Sequence, residues 1–146
     1  MKLFLAFLFT TITLSMPLEW ATDLEKAKKD AAQSQKLILL NFSGSDWCVP
    51  CIKMKKELFE STGFTQFAPS NLLLVNADFP RLKKNKLSKE QTKQNEVLAE
   101  RYNPQGAFPF TVLLDANGKV LKTWNGMPKG DAKTFINDIS AVKNGK

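Results

Sequence analysis

The chain is organised around the stretch Trp47-Cys48-Val49-Pro50-Cys51, which contains both of its cysteines. An apolar run, Leu37 to Phe42, precedes this stretch, and a run with helical spacing, Ile52 to Glu60, follows it. This order predicts a strand, a short loop and a helix that begins at the cysteines. In the first turn of a helix, unpaired backbone N–H groups and the positive end of the dipole favour a thiolate. A second thiol one turn later can close a disulfide. The pattern therefore predicts thiol–disulfide exchange, with Cys48 attacking and Cys51 resolving the mixed disulfide.

The residues around the cysteines also carry a resemblance to a known family. The segment Phe42-Ser43-Gly44-Ser45-Asp46-Trp47-Cys48-Val49-Pro50-Cys51 resembles the active-site segment of the thioredoxin superfamily. Its Gly44-to-Cys48 part, followed by Ile52-Lys53-Met54, is similar to secreted bacterial members, the DsbH-type periplasmic disulfide oxidoreductases. The Cys-Val-Pro-Cys centre also resembles membrane-tethered reductants of the superfamily. The similarity extends from about Trp20 to the C-terminus and implies an α/β thioredoxin fold, a central mixed sheet flanked by helices.

A second motif, Gly106-Ala107-Phe108-Pro109-Phe110, matches the same superfamily. The resemblance implies a cis peptide bond between Phe108 and Pro109, with the proline lying against the cysteine pair. Phe108 would then offer its backbone groups to an extended substrate segment, as an added strand. The predicted substrate-binding residues are Trp47, Val49, Pro50, Phe108 and Pro109. The apolar side chains among them fit core positions equally well. Phe110 fits the core better, and Gly126 is expected to border the same groove.

At one position the chain departs from the family pattern. If the loop before Trp47 has one extra residue, Asn41 occupies the position at which many thioredoxins bury an acid. In the family, that acid helps to transfer protons at the second cysteine. An asparagine side chain does not titrate, so proton transfer of that kind is not expected here. Asp46, beside Trp47, is the candidate substitute, although its place in a loop favours an exposed side chain.

The composition excludes several other classes of site. The 146 residues include no histidine, which excludes Ser-His-Asp and Cys-His catalysis and every histidine-ligated metal site. Two cysteines alone cannot complete a tetrahedral zinc site, so neither a metal nor a cofactor is expected. The formal net charge is +7. No nucleic-acid module with interleaved aromatic and basic residues is present, so a lysine-rich solvated surface is the favoured explanation of that charge.

The first fifteen residues have the pattern of a signal peptide. Lys2 gives a minimal positive region, and Leu3 to Leu14 is an apolar run too short to span a bilayer as a helix. Thr13 and Ser15 suit the −3 and −1 positions of a cleavage site, so residues 16–146 are the predicted mature, thioredoxin-like domain. An uncleaved anchor or a buried N-terminal strand is the alternative. Export would place the cysteines where disulfide chemistry is normal.

The pattern before residue 80 predicts three helical segments and two buried strands. Thr22 is the expected cap of the first helix, within a capping box. Strands are predicted at residues 36–42 and 72–77. The helix at the cysteines should run from about residue 48 to 60 and turn Ile52, Leu58 and Phe59 toward the core. Between this helix and the second strand, residues 64–67 suggest only a short helical turn.

The pattern after residue 80 predicts a helix, a hairpin and a last helix. Ser88 begins another capping box, and the helix that follows, residues 89–102, should use Val97, Leu98 and Tyr102 as its apolar side. Strands at residues 110–115 and 119–124 are joined by a hairpin signal. Asp131 is the expected cap of the last helix. Strands separated by helices should be parallel, and the hairpin antiparallel.

A basic segment, Arg81 to Lys93, lies between the second strand and the predicted proline strand. It contains six basic residues and a single acid, Glu90. Compared with a minimal thioredoxin, this region has the character of an inserted basic helical segment. A solvated loop that leads into a helix is the favoured interpretation. A docking surface for an acidic partner is the alternative.

These observations predict an exported, monomeric thiol–disulfide oxidoreductase that reduces or isomerises disulfides of periplasmic proteins. Its partners would be disulfide-containing exported proteins and an upstream membrane electron donor or acceptor, with no nucleic acid. The alternatives are a dedicated reductant for one client, as in cytochrome c maturation, and a redox-inert binding or metal-carrier module. The direction of electron transfer stays open, because it depends on reduction potentials and partners.

Overall fold

The computed structural model describes residues 17–145, which contain five α-helices and four strands. The predicted signal peptide, residues 1–15, lies outside the described residues. In chain order the elements are α1 (Leu24–Ser34), β1 (Leu37–Ser43), α2 (Val49–Met54), a π-helical turn (Lys55–Phe59), α3 (Thr62–Asn71), β2 (Leu72–Asp78), a 3-10 turn (Lys83–Asn85), α4 (Lys89–Tyr102), β3 (Phe110–Leu114), β4 (Val120–Asn125) and α5 (Ala132–Lys143). No helix in this part of the chain has the length and apolar character needed to cross a membrane.

The four strands form one mixed sheet in the order β2-β1-β3-β4. β1 and β2 are parallel, whereas β3 is antiparallel to both β1 and β4. The predicted hairpin is confirmed, but the prediction that helix-separated strands are parallel is wrong for β3. At the end of α4, Tyr102 donates a hydrogen bond to the carbonyl of Gly118, in the hairpin far from the cysteines. The next residues return the chain to the cysteine end, where Phe108 meets Trp47, so β3 enters the sheet from that end.

Two layers of apolar side chains cover the two faces of the sheet. Residues of β1 alternate between them: Leu39 belongs to one layer, while Ile38 and Leu40 belong to the other. The first layer includes side chains of α2, the π-helical turn, α3 and α5. Its aromatic centre is Phe59, Phe64, Trp124 and Phe135, with ring centroids 4.7 to 6.4 Å apart. The helical side chains of the second layer come from α1 and α4. The cysteines therefore begin a helix that is packed on the first face.

The helix starts are fixed by side-chain caps, one of them at a residue other than the predicted one. Asp23, not Thr22, caps α1, because its carboxylate accepts the backbone N–H of Lys26 at 3.0 Å. Thr22 directly follows Ala21, whose backbone pairs with β2. The predicted caps Ser88 of α4 and Asp131 of α5 are confirmed.

Three local predictions are wrong, two of them for reasons of helical geometry. Ile52 and Val97 are 48% and 54% exposed rather than turned to the core. Val97 lies five positions before Tyr102, about 140° around the helix, whereas Leu98 lies four positions before it and shares its face. Ile52 follows Cys51, which with Met54 and Leu58 forms the buried side. The predicted short turn at residues 64–67 is the ten-residue α3, capped by Ser61.

Candidate active site

The two cysteines lie where the sequence predicts, at the start of α2. Cys48 is the cap residue, and Cys51 is in the first turn. Their sulfurs form a disulfide, and both residues are nearly buried, with 4% and 6% of their surface exposed. The backbone N–H of Cys51 donates to the Cys48 sulfur at 3.3 Å. This donor, with the helix dipole, favours negative charge on Cys48 when the pair is reduced.

The loop before the cysteines is held by Trp47. Its indole N–H donates to the backbone carbonyl of Phe79 at 2.7 Å. The ring meets Phe108 edge-on, with centroids 5.6 Å apart, and it lies so close to Gly44 that a side chain at that position would overlap the indole. The loop is thereby fixed to the segments that follow β2 and precede β3, and this contact joins the two sequence motifs into one site.

The second motif has the predicted conformation. The Phe108–Pro109 peptide bond is cis, and Pro109 is buried. The carbonyl of Pro109 accepts the N–H of Gly126 at 2.9 Å, so Gly126 borders this segment as expected. Within residues 17–145, the backbone N–H and carbonyl of Phe108 take part in no hydrogen bond. Both groups are therefore available to pair with another extended chain.

The exposed surface beside the cysteines is apolar. Val49 is 73% exposed and Pro50 is also exposed, while Trp47 and Phe108 are half-buried. Phe110 is likewise half-buried but packs against the second layer, with its ring 6.3 Å from that of Phe42. The structure therefore brings together four of the predicted substrate-binding residues, with Pro109 behind them, and assigns Phe110 to the core margin.

Asn41 lies on the inner side of the cysteine pair. It is 6% exposed and lines, together with Cys51, a cavity of about 320 Å³. Its side-chain oxygen accepts the Thr111 hydroxyl at 3.1 Å, and its NH₂ donates to the Asn76 side chain at 3.2 Å. The position that faces Cys51 is therefore occupied by a neutral amide whose hydrogen-bonding groups are engaged across three strands.

Two carboxylates hold the active-site loop, and sequence analysis missed both roles. Asp78, at the end of β2, accepts the backbone N–H of Ser45 at 2.9 Å and the hydroxyl groups of Ser43 and Ser45. Asp46, the candidate substitute for the missing acid, directs its carboxylate to the basic segment. It accepts hydrogen bonds from residues 35 to 39 positions later, a separation that leaves no local sequence signal.

The contacts of Asp46 tie the basic segment to the active-site loop. Its carboxylate accepts the backbone N–H groups of Arg81 at 2.9 Å and Leu82 at 3.0 Å, and the side-chain NH₂ of Asn85 at 2.9 Å. The hydrogen bond from Arg81 and then that from Asn85 lower the pKa of Asp46 below its ordinary value of 3.8. The guanidinium of Arg81 lies 3.6 Å above the centre of the Trp47 ring.

Across residues 17–145 there is no cluster of three acidic or cysteine side chains able to hold a metal ion. The site combines a cysteine pair, an apolar surface and the unpaired backbone of Phe108. This combination suits the binding of a polypeptide that carries a disulfide.

Comparison with known proteins identifies the family. The model of thioredoxin-like proteins matches residues 19–116. The chain belongs to the thioredoxin-like family.

Relatives of this thioredoxin-like protein act on disulfides. The disulfide bond reductase DsbH of Chlamydia pneumoniae is 39% identical over 126 residues, which cover 86% of this chain and 74% of the relative. The thiol-disulfide oxidoreductase ResA of Geobacillus thermodenitrificans is 31% identical over 111 residues, covering 71% of this chain and 63% of the relative. A solved DsbH oxidoreductase superposes with a TM-score of 0.81 at 32% identity, covering 97% of this chain and 95% of that one. With its cysteine pair, this chain is a thiol–disulfide oxidoreductase.

Proposed function

We propose that the protein is an exported reductase or isomerase of disulfides in other exported proteins. The observation that carries the proposal is the position of Cys48 at the cap of α2, with the N–H of Cys51 directed at its sulfur. A thiolate at this position is stabilised and can attack a substrate disulfide that is bound at the apolar surface beside it.

The exchange proceeds in two steps that balance. The Cys48 thiolate attacks one sulfur of the substrate disulfide, and the other substrate sulfur leaves as a thiolate that takes up a proton. The Cys51 thiol then loses its proton and attacks the Cys48 sulfur, which releases the second substrate thiol and forms the Cys48–Cys51 disulfide. The substrate is reduced by two electrons and the pair is oxidised. An external dithiol, supplied by a membrane electron donor, restores the reduced pair.

The substrate lies along Phe108 in this proposal. The unbonded backbone groups of Phe108 support pairing with an extended segment, and Val49 and Pro50 offer exposed apolar surface on the other side of Cys48. Backbone pairing reads no side-chain sequence, so it suits a protein that handles several clients. Trp47 and Pro109 shape the groove by holding its two walls.

Reduction is favoured over oxidation because the relative DsbH is named a disulfide bond reductase. The neutral Asn41 beside Cys51 acts in the opposite sense. A carboxylate at this position would disfavour a thiolate. The neutral amide of Asn41 therefore stabilises the reduced pair and makes the disulfide more oxidising. The reduction potential of the Cys48–Cys51 pair, measured by equilibration with glutathione, decides between the two directions.

Export requires a cleavage site that leaves the packed N-terminal residues on the mature chain. Leu18 and Trp20 pack against the first layer, and the Trp20 ring lies 4.9 Å from that of Phe59. This packing supports cleavage after Ser15 over cleavage after Ala21, which would remove both side chains. Mass spectrometry of the periplasmic fraction of a Gram-negative host should find a chain that begins at Met16. Full-length protein in the cytosol with both thiols reduced would contradict export.

The enzymatic proposal is tested by insulin reduction in the presence of an electron donor. Cys48→Ser should abolish turnover. Cys51→Ser should instead accumulate mixed disulfides through Cys48, detectable by mass on non-reducing gels. Ser61→Ala, far from the pair but also at a helix cap, serves as the control for helix destabilisation. Undiminished turnover in both cysteine variants would end the proposal.

A further inference from the structure

We propose that four basic residues next to the active site select disulfides that lie beside acidic polypeptide segments. The four are Arg81, Lys83, Lys84 and Lys86, here called the basic rim. The inference rests on the proposed function, since it names the class of substrate that this redox site takes.

The basic rim adjoins the redox site. Asp46, two residues before Cys48, accepts hydrogen bonds from the backbone of Arg81 and Leu82 and from the side chain of Asn85. Arg81 lies over Trp47, the residue that directly precedes Cys48. A substrate chain that reaches Cys48 therefore passes within side-chain reach of the rim.

The charge of the rim is only partly compensated within residues 17–145. Residues 81–86 contain no acid. In the described part of the chain, all four rim side chains are exposed and none forms an ion pair, whereas Lys26, Lys28, Lys53 and Lys122 each do. Asp46, which holds this segment, is an ionised carboxylate and offsets one of the four positive charges of the rim, which leaves a net charge of about +3. The rim therefore presents a concentrated positive field at the entrance to the site.

The rim is also fixed in place before a partner arrives. Lys83 and Lys84 belong to the 3-10 turn, which the contacts of Asp46 hold to the active-site loop. Stacking on Trp47 orients the Arg81 guanidinium and leaves its edge free for a carboxylate, a geometry suited to paired hydrogen bonds. Because less backbone freedom is lost on binding, such a surface discriminates better than a mobile lysine tail.

A partner of matching chemistry carries several Asp or Glu residues within a few positions of its disulfide. Each exposed charge pair contributes little by itself, and its effect falls as salt screens it. Three or four pairs formed together should raise the rate of encounter and capture by about tenfold at low ionic strength. A substrate with basic residues at the same positions should be slowed to a similar degree.

The test uses the reduced mature protein, residues 16–146, and two synthetic disulfide peptides that differ only in flanking Glu or Lys residues. Second-order rate constants are measured by stopped flow, along with the rate toward the neutral bis(2-hydroxyethyl) disulfide. The Glu peptide should react at least about tenfold faster than the Lys peptide, and this preference should disappear in high salt. The triple variant Lys83→Glu, Lys84→Glu, Lys86→Glu should reverse the preference while keeping its rate with the neutral reagent.

A matched triple variant, Lys29→Glu, Lys119→Glu, Lys133→Glu, changes net charge equally at exposed sites in α1, in the turn between β3 and β4, and in α5. It should keep the preference for the Glu peptide. Equal rates for both peptides, or equal losses in the two triple variants, overturn the inference but leave the enzyme intact. Failure to react with the peptides and with the neutral reagent defeats the proposed function itself. If the rim variant loses binding to anionic vesicles and its peptide rates are unchanged, the rim is a membrane surface and the inference is wrong.

Discussion

Replacing Asn41 by aspartate would introduce a carboxylate beside Cys51 with almost no change in shape. The new side chain can still accept the Thr111 hydroxyl at the same place. It loses the NH₂ that donates to Asn76, whose own amide can turn and donate in return. Asn41→Asp therefore tests the charge at this position more than its packing.

The size of the effect follows from the cavity that Asn41 and Cys51 share. Both side chains line this cavity of about 320 Å³, and for two charges on the walls of one such cavity we take a separation of about 10 Å. At an effective dielectric constant of about 20, two negative charges at that distance repel by about 1.7 kcal/mol. This repulsion corresponds to about one pH unit in the ionisation of the reduced pair, and the reduction potential should fall by as much as about 35 mV.

The assay is a thiolate titration of the reduced protein by ultraviolet absorbance, with glutathione equilibration for the potential. Burial opposes ionisation of the new carboxyl group, so the shift should appear only above the pH at which that group ionises. Asn41→Ala, which removes the amide without adding charge, is the control. If Asn41→Asp and Asn41→Ala give the same titration and potential, the charge at position 41 does not act on the pair and the reasoning is refuted.

Three further predictions concern the loop, the core and acid stability. Gly44→Ala should displace the Trp47 ring, which occupies the space of the new methyl group, and should cost about 1–3 kcal/mol of stability in urea unfolding. It should also slow peptide reduction. Phe135→Ala, at a side chain with no exposed surface, should cost about 3–5 kcal/mol, and a loss below 1 kcal/mol would contradict the assigned aromatic centre. The lowered pKa of Asp46 means that its stabilising hydrogen bonds are fully present above 3.8 and are lost as the pH falls below it. The melting temperatures of wild type and Asp46→Asn should therefore converge on acidification, and a constant difference would contradict this.

Local sequence signals predicted the parts of the site that are local. The Cys48–Cys51 pair, its strand-to-helix context and the cap of α4 depend on residues within a few positions of one another. The cis bond before Pro109 came from the family resemblance, because the residues alone favour trans. These predictions agree with the structure.

The contacts that join distant segments were not predictable in the same way. Asp46 binds a segment 35 positions later, and nothing in its neighbourhood specifies that partner. The direction of β3 depends on the end of the sheet to which the chain returns after α4. The rule that strands separated by a helix are parallel does not describe this return. The exposure of Val97 was predictable, since its angular distance from Tyr102 follows from helical spacing alone.

The pairing of Ala21 with β2 has a consequence for self-association. β2 is an edge strand of the sheet, and an unpaired edge strand can pair with the same strand of another molecule. Ala21 donates its N–H to the carbonyl of Leu74 and accepts the N–H of Asn76, at 2.8 and 2.9 Å, and so occupies the outer side of β2. The opposite margin, β4, is interrupted by an irregular register beside β3 and carries Lys122. The residues just before α1 thus guard against aggregation through β2, independently of the redox site.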